Sequence, residues 1–352
     1  MKLLDLGYNN EFDVYLKGND FTIGRVTQEH RESYIVSTGE NEYDAEITGK
    51  LRFSAVSRGD FPAVGDWVTI TIYDSDQAII HDILPRKSLL ERQAVGKTGE
   101  RQIISANIDA AFIVQAINNN FSINRLERYL TICYSANIEP ILVISKIDLM
   151  SEKEISDAIN DLEKRNNKVR YILLSNITLQ GRDQIMDFIE RGKTYCVVGS
   201  SGVGKSTLIN NLLKKNILKT GQISHRTNKG RHITDHRELY VLENGGIIID
   251  TPGMRELGMT ENAGGAEITF QEIHDLSVSC KFPDCKHINE TGCAVIEALN
   301  NGTIDNDSYN NFQKIQKELA RFQTTVAERR KKERVFGKLI KNYFKGKEKN
   351  EY

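Results

Sequence analysis

The stretch GSSGVGKS, Gly199 to Ser206, constrains this chain more than any other. It satisfies G-x-x-x-x-G-K-[ST], with the apolar YCVV before it and TLINNLL after it, so it reads as strand, phosphate-cradling turn and helix in succession. Glycines let successive backbone N–H groups turn inward around a β-phosphate, at a helix N-terminus whose dipole favours anions. In this reading Gly199, Ser200, Ser201, Gly202, Val203, Gly204 and Thr207 line the nucleotide site. Lys205 reaches the β and γ phosphates as a catalytic candidate, and the Ser206 hydroxyl ligates Mg²⁺.

From Ile108 onward the chain alternates apolar runs with helically periodic segments. DAAFIVQA is near-continuously apolar, as a parallel strand covered on both faces must be. Ser122 starts a helix with Leu126, Tyr129, Leu130 and Cys133 on one face, ILVIS follows as a strand, and Ser151 with Glu154 forms a capping box before the next helix. YILLS, a helix around Ile185–Ile189, YCVVG and a helix from Ser206 continue the pattern, which specifies a doubly wound parallel sheet.

Two further motifs belong at the carboxyl edge of that sheet. IIIDTPG delivers Asp250, positioned to hold Mg²⁺ through water, and Gly253, whose N–H faces a γ-phosphate. Ser145, Lys146 and Asp148 of SKID follow the strand ILVI. Asp148 can accept from guanine N1–H and the exocyclic amine together, a contact adenine cannot satisfy, while the Lys146 stem lies along the base. Ser175 and Asn176 end the strand YILL, where the Asn176 N–H meets guanine O6. SKID precedes GSSGVGKS, the reverse of the usual GTPase order. Because ligand contacts depend on the sheet edge and not on chain order, and because chain ends lie close together at a domain surface, this is the pattern of a circularly permuted P-loop GTPase domain.

Residues before about Arg92 form short β segments, FTIGRV, SYIVST, YDAEITGKLR, DWVTITIY and QAIIHDIL, separated by turn residues. They suggest a small antiparallel barrel of the oligonucleotide-binding (OB) type, with Trp67 assigned to packing. After the sheet, Cys280, Cys285, His287 and Cys293 have the spacing C-x4-C-x-H-x5-C. Three thiolates and an imidazole suit one tetrahedral, structural Zn²⁺. Cys133 and Cys196, in apolar segments, are expected to be buried thiols. The boundaries read as 1–95 for the barrel, 100–260 for the permuted GTPase domain and 261–352 for a zinc-binding, mostly helical domain with a basic tail.

The 352 residues carry a formal net charge of only −1, yet Gln313–Lys349 holds 13 Lys or Arg against 4 Glu, the footprint either of a nucleic-acid partner or of a solvated helix with a frayed tail. No apolar run approaches the roughly eighteen residues that span a bilayer, so a cytoplasmic, monomeric protein with no membrane partner is expected.

Barrel, permuted domain and Cys3His cluster, with SANID at Ser105–Asp109 and GRHIT at Gly230–Thr234, resemble the ribosome small subunit-dependent GTPase A family over nearly the whole chain. The resemblance implies hydrolysis of GTP to GDP, stimulated by the small ribosomal subunit, late in that subunit's maturation, with the tail on rRNA. It makes Thr234 the switch threonine for Mg²⁺ and γ-phosphate. His232 is the candidate to position water, since Met254 stands where many GTPases keep a water-orienting Gln. Three positions depart from the family pattern: Ser145 replaces the usual Asn of Asn-Lys-x-Asp, Asn176 the usual Ala of Ser-Ala, and Ile233 a Thr. Loss of the Asn carboxamide at 145 is expected to weaken the brace on the base-reading loop. The rival reading is a nucleotide-gated RNA-binding module with little hydrolysis.

Overall fold

A computed structural model describes residues 2–16, 21–30, 33–55, 58–93, 101–118, 121–166, 168–218, 237–250 and 264–322. The N-terminal strands are β1 (Thr22–Glu29), β2 (Tyr34–Ser37), β3 (Glu42–Ile47), β4 (Trp67–Ile72) and β5 (Gln77–Ile83), with helix α1 (Gly49–Ser54) between β3 and β4. They pair in the order β1-β2-β3-β5-β4, and β4 returns to β1 to close the barrel. Closure removes both sheet edges. Val26, Val36, Ala45, Val68, Ile70 and Ile80 fill its interior.

Two expectations for this region change. The barrel is not wholly antiparallel, because β3 and β5 run parallel and so need a crossover between them. GKLR, expected to prolong a strand, is helical in α1 because the Thr48 hydroxyl accepts from the Leu51 N–H at 3.2 Å and caps it. Trp67 does pack, edge-on to Tyr8 at 5.4 Å and in one cluster with Leu6, Ile23, Leu239 and Ile249.

A hairpin follows, β6 (Leu89–Gln93) with β7 (Arg101–Ala106), which the sequence reading missed. Then come β8 (Ala110–Ala116), α2 (Ile123–Ser135), β9 (Glu139–Ser145), α3 (Glu152–Asn166), β10 (Tyr171–Leu174), α4 (Arg182–Phe188), β11 (Thr194–Val198), α5 (Lys205–Leu213), β12 (Arg237–Val241) and β13 (Ile247–Asp250). Strand order is β10-β9-β8-β11-β13-β12; the first five are parallel and β12 is antiparallel. Every residue of β8 is buried, as its unbroken apolar run requires. One face packs on α2 and α3, the other on α4 and α5. Ser122 caps α2 by accepting from the Arg125 N–H, and the Ser151–Glu154 box precedes α3.

Strand β12 also pairs with β1, so barrel and parallel layer form one eleven-stranded sheet. The junction is polar and specific: Gln28 donates to Glu238 at 2.9 Å, and Arg237 bonds Glu29 at 2.6 Å and the Ile103 carbonyl at 2.9 Å. Beside it the buried Arg25 guanidinium donates to the carbonyls of Leu6, Gly65 and Asn107 and to the Thr194 hydroxyl, tying β1 to β11.

The C-terminal helices α6 (Gly264–Thr269), α7 (Gln271–Ser277), α8 (Ala294–Asn300) and α9 (Asn306–Phe322) cover α2. A Cβ at Gly265 would sit 2.1 Å from the Thr131 carbonyl oxygen, so only glycine permits this approach of α6 to α2. Buried Glu127 on α2 takes Arg165 of α3 at 2.7 Å and Asn311 of α9 at 2.6 Å. One apolar cluster runs from Leu126 and Leu130 to Phe270, Val295 and Ile315. Among the described residues no helix is long and apolar enough to cross a membrane.

Candidate functional site: a phosphate loop flanked by base-reading loops

Parallel pairing of β10, β9, β8, β11 and β13 sends their carboxyl ends to one edge. That edge therefore gathers Ser175 after β10, Ser145 at the end of β9, Gly199 after β11 and Asp250 at the end of β13. The motifs, scattered over a hundred residues, meet there irrespective of their order.

The phosphate loop has the backbone its glycines allow. Gly199, Gly202 and Gly204 hold φ of 145°, 78° and 99°. A Cβ at Gly199 would lie 2.2 Å from the Val114 carbonyl oxygen, so the loop leaves β11 pressed against β8. Lys205 opens α5, with Ser206 and Thr207 half-buried in its first turn beyond Ser200, Ser201 and Val203. The Lys205 ammonium donates to the Ser200 carbonyl at 2.7 Å. Burial pushes its pKa down to about 8, opposed by the negative charge of Asp250. A partly buried cation at the end of a glycine-rich loop suits an anionic ligand, whose negative charge would raise the lysine pKa again.

The loops that follow β9 and β10 are tied to this loop directly. Ser145 is fully buried, and its hydroxyl donates to the Val203 carbonyl at 2.7 Å. The expected loss of a brace at position 145 is therefore corrected: a hydroxyl reaches the phosphate loop from β9 without a carboxamide. Lys146 follows in the left-handed region (φ 65°), and Asp148 stands exposed at the rim. On the other side Ser175 is buried, its hydroxyl accepting from the N–H groups of Ile177 and Thr178 and so folding the loop. The Asn176 Nδ2 donates to the Gly204 carbonyl at 3.0 Å. Asn211 on α5, which the sequence reading did not single out, donates to the Asn176 carbonyl and side-chain oxygen at 3.2 and 3.3 Å. Helical periodicity marks Asn211 only as a polar position, so nothing in the sequence signalled the contact. Gly253, His232 and Thr234, as well as Met254, lie outside the described residues.

The cysteine cluster lies in the C-terminal layer. Ligand atoms of Cys280, Cys285, His287 and Cys293 all fall within 4.8 Å of one another. Cys280 Sγ is 3.8 Å from Cys293 Sγ, and the His287 Nδ1 lies 3.5 and 3.4 Å from these two sulfurs. A tetrahedron with zinc–sulfur bonds of about 2.3 Å and a zinc–nitrogen bond of about 2.0 Å has edges of roughly 3.8 and 3.5 Å. The four side chains thus fit a metal ion. His287 adopts φ 56°, held by a loop whose Lys286, Ile288 and Asn289 N–H groups all donate to Glu290. Those donors bring the Glu290 carboxyl down to about 2. Cys133 and Cys196 are buried elsewhere, and burial raises both thiols, Cys133 to about 12.

A closed five-stranded barrel, a parallel sheet whose SKID strand precedes its GSSGVGKS loop, and a Cys3His layer define a circularly permuted P-loop GTPase. The chain matches the family model for RsgA GTPase over residues 83–260 and that for 50S ribosome-binding GTPase over 194–330. It is 38% identical over 329 residues to "Small ribosomal subunit biogenesis GTPase RsgA 1" of Bacteroides thetaiotaomicron, covering 93% of this chain and 92% of that one. It is 42% identical over 323 residues to "Small ribosomal subunit biogenesis GTPase RsgA 2" of Lactiplantibacillus plantarum, covering 91% and 90%. The crystal structure of YjeQ from Thermotoga maritima superposes with a TM-score of 0.63 at 26% identity, over 85% of this chain and 99% of that one. The chain belongs to the RsgA GTPase family.

Proposed function

We propose that this protein hydrolyses GTP to GDP and phosphate in the biogenesis of the small ribosomal subunit, and that the subunit stimulates turnover. The observation that carries the reading is the convergence of SKID, GSSGVGKS and Asp250 on one sheet edge, with Ser145 hydrogen-bonded to the phosphate loop. Relatives with 38% and 42% identity over nine-tenths of the chain carry that biogenesis in their names.

Catalysis of phosphoryl transfer is largely positioning and charge stabilisation. Lys205 sets its charge against the β and γ phosphates, and backbone N–H groups of Gly199–Gly204 cradle the β-phosphate. Ser206 and Thr234 would hold Mg²⁺, with Asp250 supporting it through water, and Gly253 would donate to the γ-phosphate. Asp148 reads the guanine N–H groups, Lys146 covers the base, and the Asn176 N–H meets O6. When bound, Mg²⁺ neutralises developing charge on the phosphates. His232 positions water, and Met254 leaves intrinsic turnover slow.

Cys280, Cys285, His287 and Cys293 bind one structural Zn²⁺; with all four positions taken by protein no site remains for substrate. The units divide as 1–95, 100–260 and 261–352, the basic tail contacts rRNA, and the protein acts as a cytoplasmic monomer. GTP turnover measured with and without purified small subunits tests the proposal: a slow basal rate rising many-fold with subunits is expected, and no hydrolysis under either condition refutes it.

A further inference from the structure

The loop after β10 has little apolar packing to hold it. Ile177 and Leu179 point to solvent, 80% and 47% exposed. Behind the loop lies a cavity of about 290 Å³ that Leu179, Arg182 and Asn211 help to line. What fixes the loop is polar. The Asn176 carboxamide donates to the Gly204 carbonyl, which also accepts the Leu208 N–H of the first helical turn. Two turns along α5, Asn211 donates back to both oxygens of Asn176, and Arg182 Nε donates to the Asn211 carbonyl. The side chain at 176 is therefore clamped between the last residue of the phosphate loop and the body of its helix. The fit is close: a Cβ at Gly204 would stand 2.7 Å from Asn176 Nδ2. An alanine at 176, the residue the family pattern leads one to expect, would lose the bond to Gly204 and the one from Asn211 to the side-chain oxygen, and would keep only the bond from Asn211 to the main-chain carbonyl.

We infer that Asn176, clamped by Asn211, is a positioning residue for guanine nucleotides that locks the O6-reading loop to the phosphate loop, so that base and phosphate subsites are held as one unit. This rests on the proposed base reading. A free protein built this way has already ordered the base loop before nucleotide arrives. The loss on breaking the clamp is then confined to ligands that carry the base.

The test compares GDP with tripolyphosphate, which engages the phosphate loop alone, on the full-length chain with Mg²⁺, the latter by competition against a fluorescent GDP. Asn176→Ala should weaken GDP roughly fivefold, the factor that a typical net hydrogen bond represents. It should raise the GDP dissociation rate with little change in association, and leave tripolyphosphate affinity within twofold. Because Asn211 acts on the Asn176 side chain but also reaches its main-chain carbonyl, which Asn176→Ala keeps, adding Asn211→Ala to Asn176→Ala should cost less than Asn211→Ala costs alone. Asn211→Ala retains the bond to Gly204 and carries the same comparison if Asn176→Ala does not fold. Equal weakening of both ligands would reduce Asn176 to a structural support of the phosphate loop and overturn the inference, as would additive losses. A wild type selective for guanine whose affinity survives Asn176→Ala overturns the inference alone. A wild type that binds ATP as tightly as GTP overturns the base reading and this inference with it.

Discussion

Replacing Ser145 with alanine removes one oxygen from a site without solvent access. The bond lost is 2.7 Å long and ends on the carbonyl of Val203, itself 2% exposed, so no water stands ready to replace the donor. A neutral buried hydrogen bond is worth about 1 kcal/mol net, and an acceptor left unpaired takes the cost to roughly 1–3 kcal/mol. Since the bond exists in the nucleotide-free chain, most of that cost falls on folding stability. Only the part that reordering the base loop demands falls on binding, at most about fivefold in GDP affinity. Urea unfolding and calorimetric titration with GDP, GTP and ATP measure the two shares. The expected outcome is a stability loss of about 1–2 kcal/mol, weaker GTP and GDP binding by a common small factor, and an unchanged preference for guanine over adenine, because Asp148 is untouched. Unaltered stability together with unaltered affinity would refute the brace. Ser145→Asn, which the family pattern recommends, gains nothing here: the hydroxyl already makes the bond, and extra atoms in a filled site cost about 1–3 kcal/mol.

Thiol chemistry separates the two kinds of cysteine. With a pKa near 12, Cys133 presents about one thiolate in ten thousand at pH 8. The thiol reacts only in its deprotonated form, so raising pH toward 12 increases its reactivity and lowering pH abolishes it. Alkylation at pH 8 should therefore modify none of the five cysteines in the metal-loaded protein and three after chelation; modification of Cys133 or Cys196 in the folded protein contradicts their burial. Glu127→Ala should destabilise by about 2 kcal/mol, because it removes the carboxylate that the partly buried Arg165 holds most closely, leaving it Asn124 and Asp305, and one of the two acceptors of Asn311; a change below 1 kcal/mol in urea unfolding would show the cluster to be idle. Cys285→Ala should release metal and loosen α6–α9 while GDP binding persists, since α5 packs in the cluster on the opposite face of the sheet; loss of GDP binding with the metal would show that the two layers do not part.

What the sequence disclosed was local. The phosphate loop, the SKID turn and the cysteine spacing each concentrate their chemistry within a few residues, and the unbroken apolar run of β8 reveals burial on both faces without knowledge of its neighbours. What stayed hidden depends on partners far along the chain. The parallel pairing of β3 with β5 follows from the crossover through α1, and Thr48, which caps that helix, reads equally well as a strand residue. The β1–β12 pairing joins segments about two hundred residues apart through Gln28, Glu29, Arg237 and Glu238, none of which differs in type from an ordinary surface residue. At Ser145 the sequence displayed a missing carboxamide, and only the proximity of Val203 shows that a shorter side chain suffices.

The central claim, that a base reader placed upstream of its phosphate loop works as one guanine site, is tested most directly by Asp148→Asn. Titration of wild type and variant with GTP, ATP and xanthosine triphosphate should show wild type selective for GTP. The variant should prefer xanthosine triphosphate, whose extra carbonyl offers an acceptor where guanine offers an amine. Wild type that binds ATP as well as GTP, or a variant with unchanged preference, would contradict it.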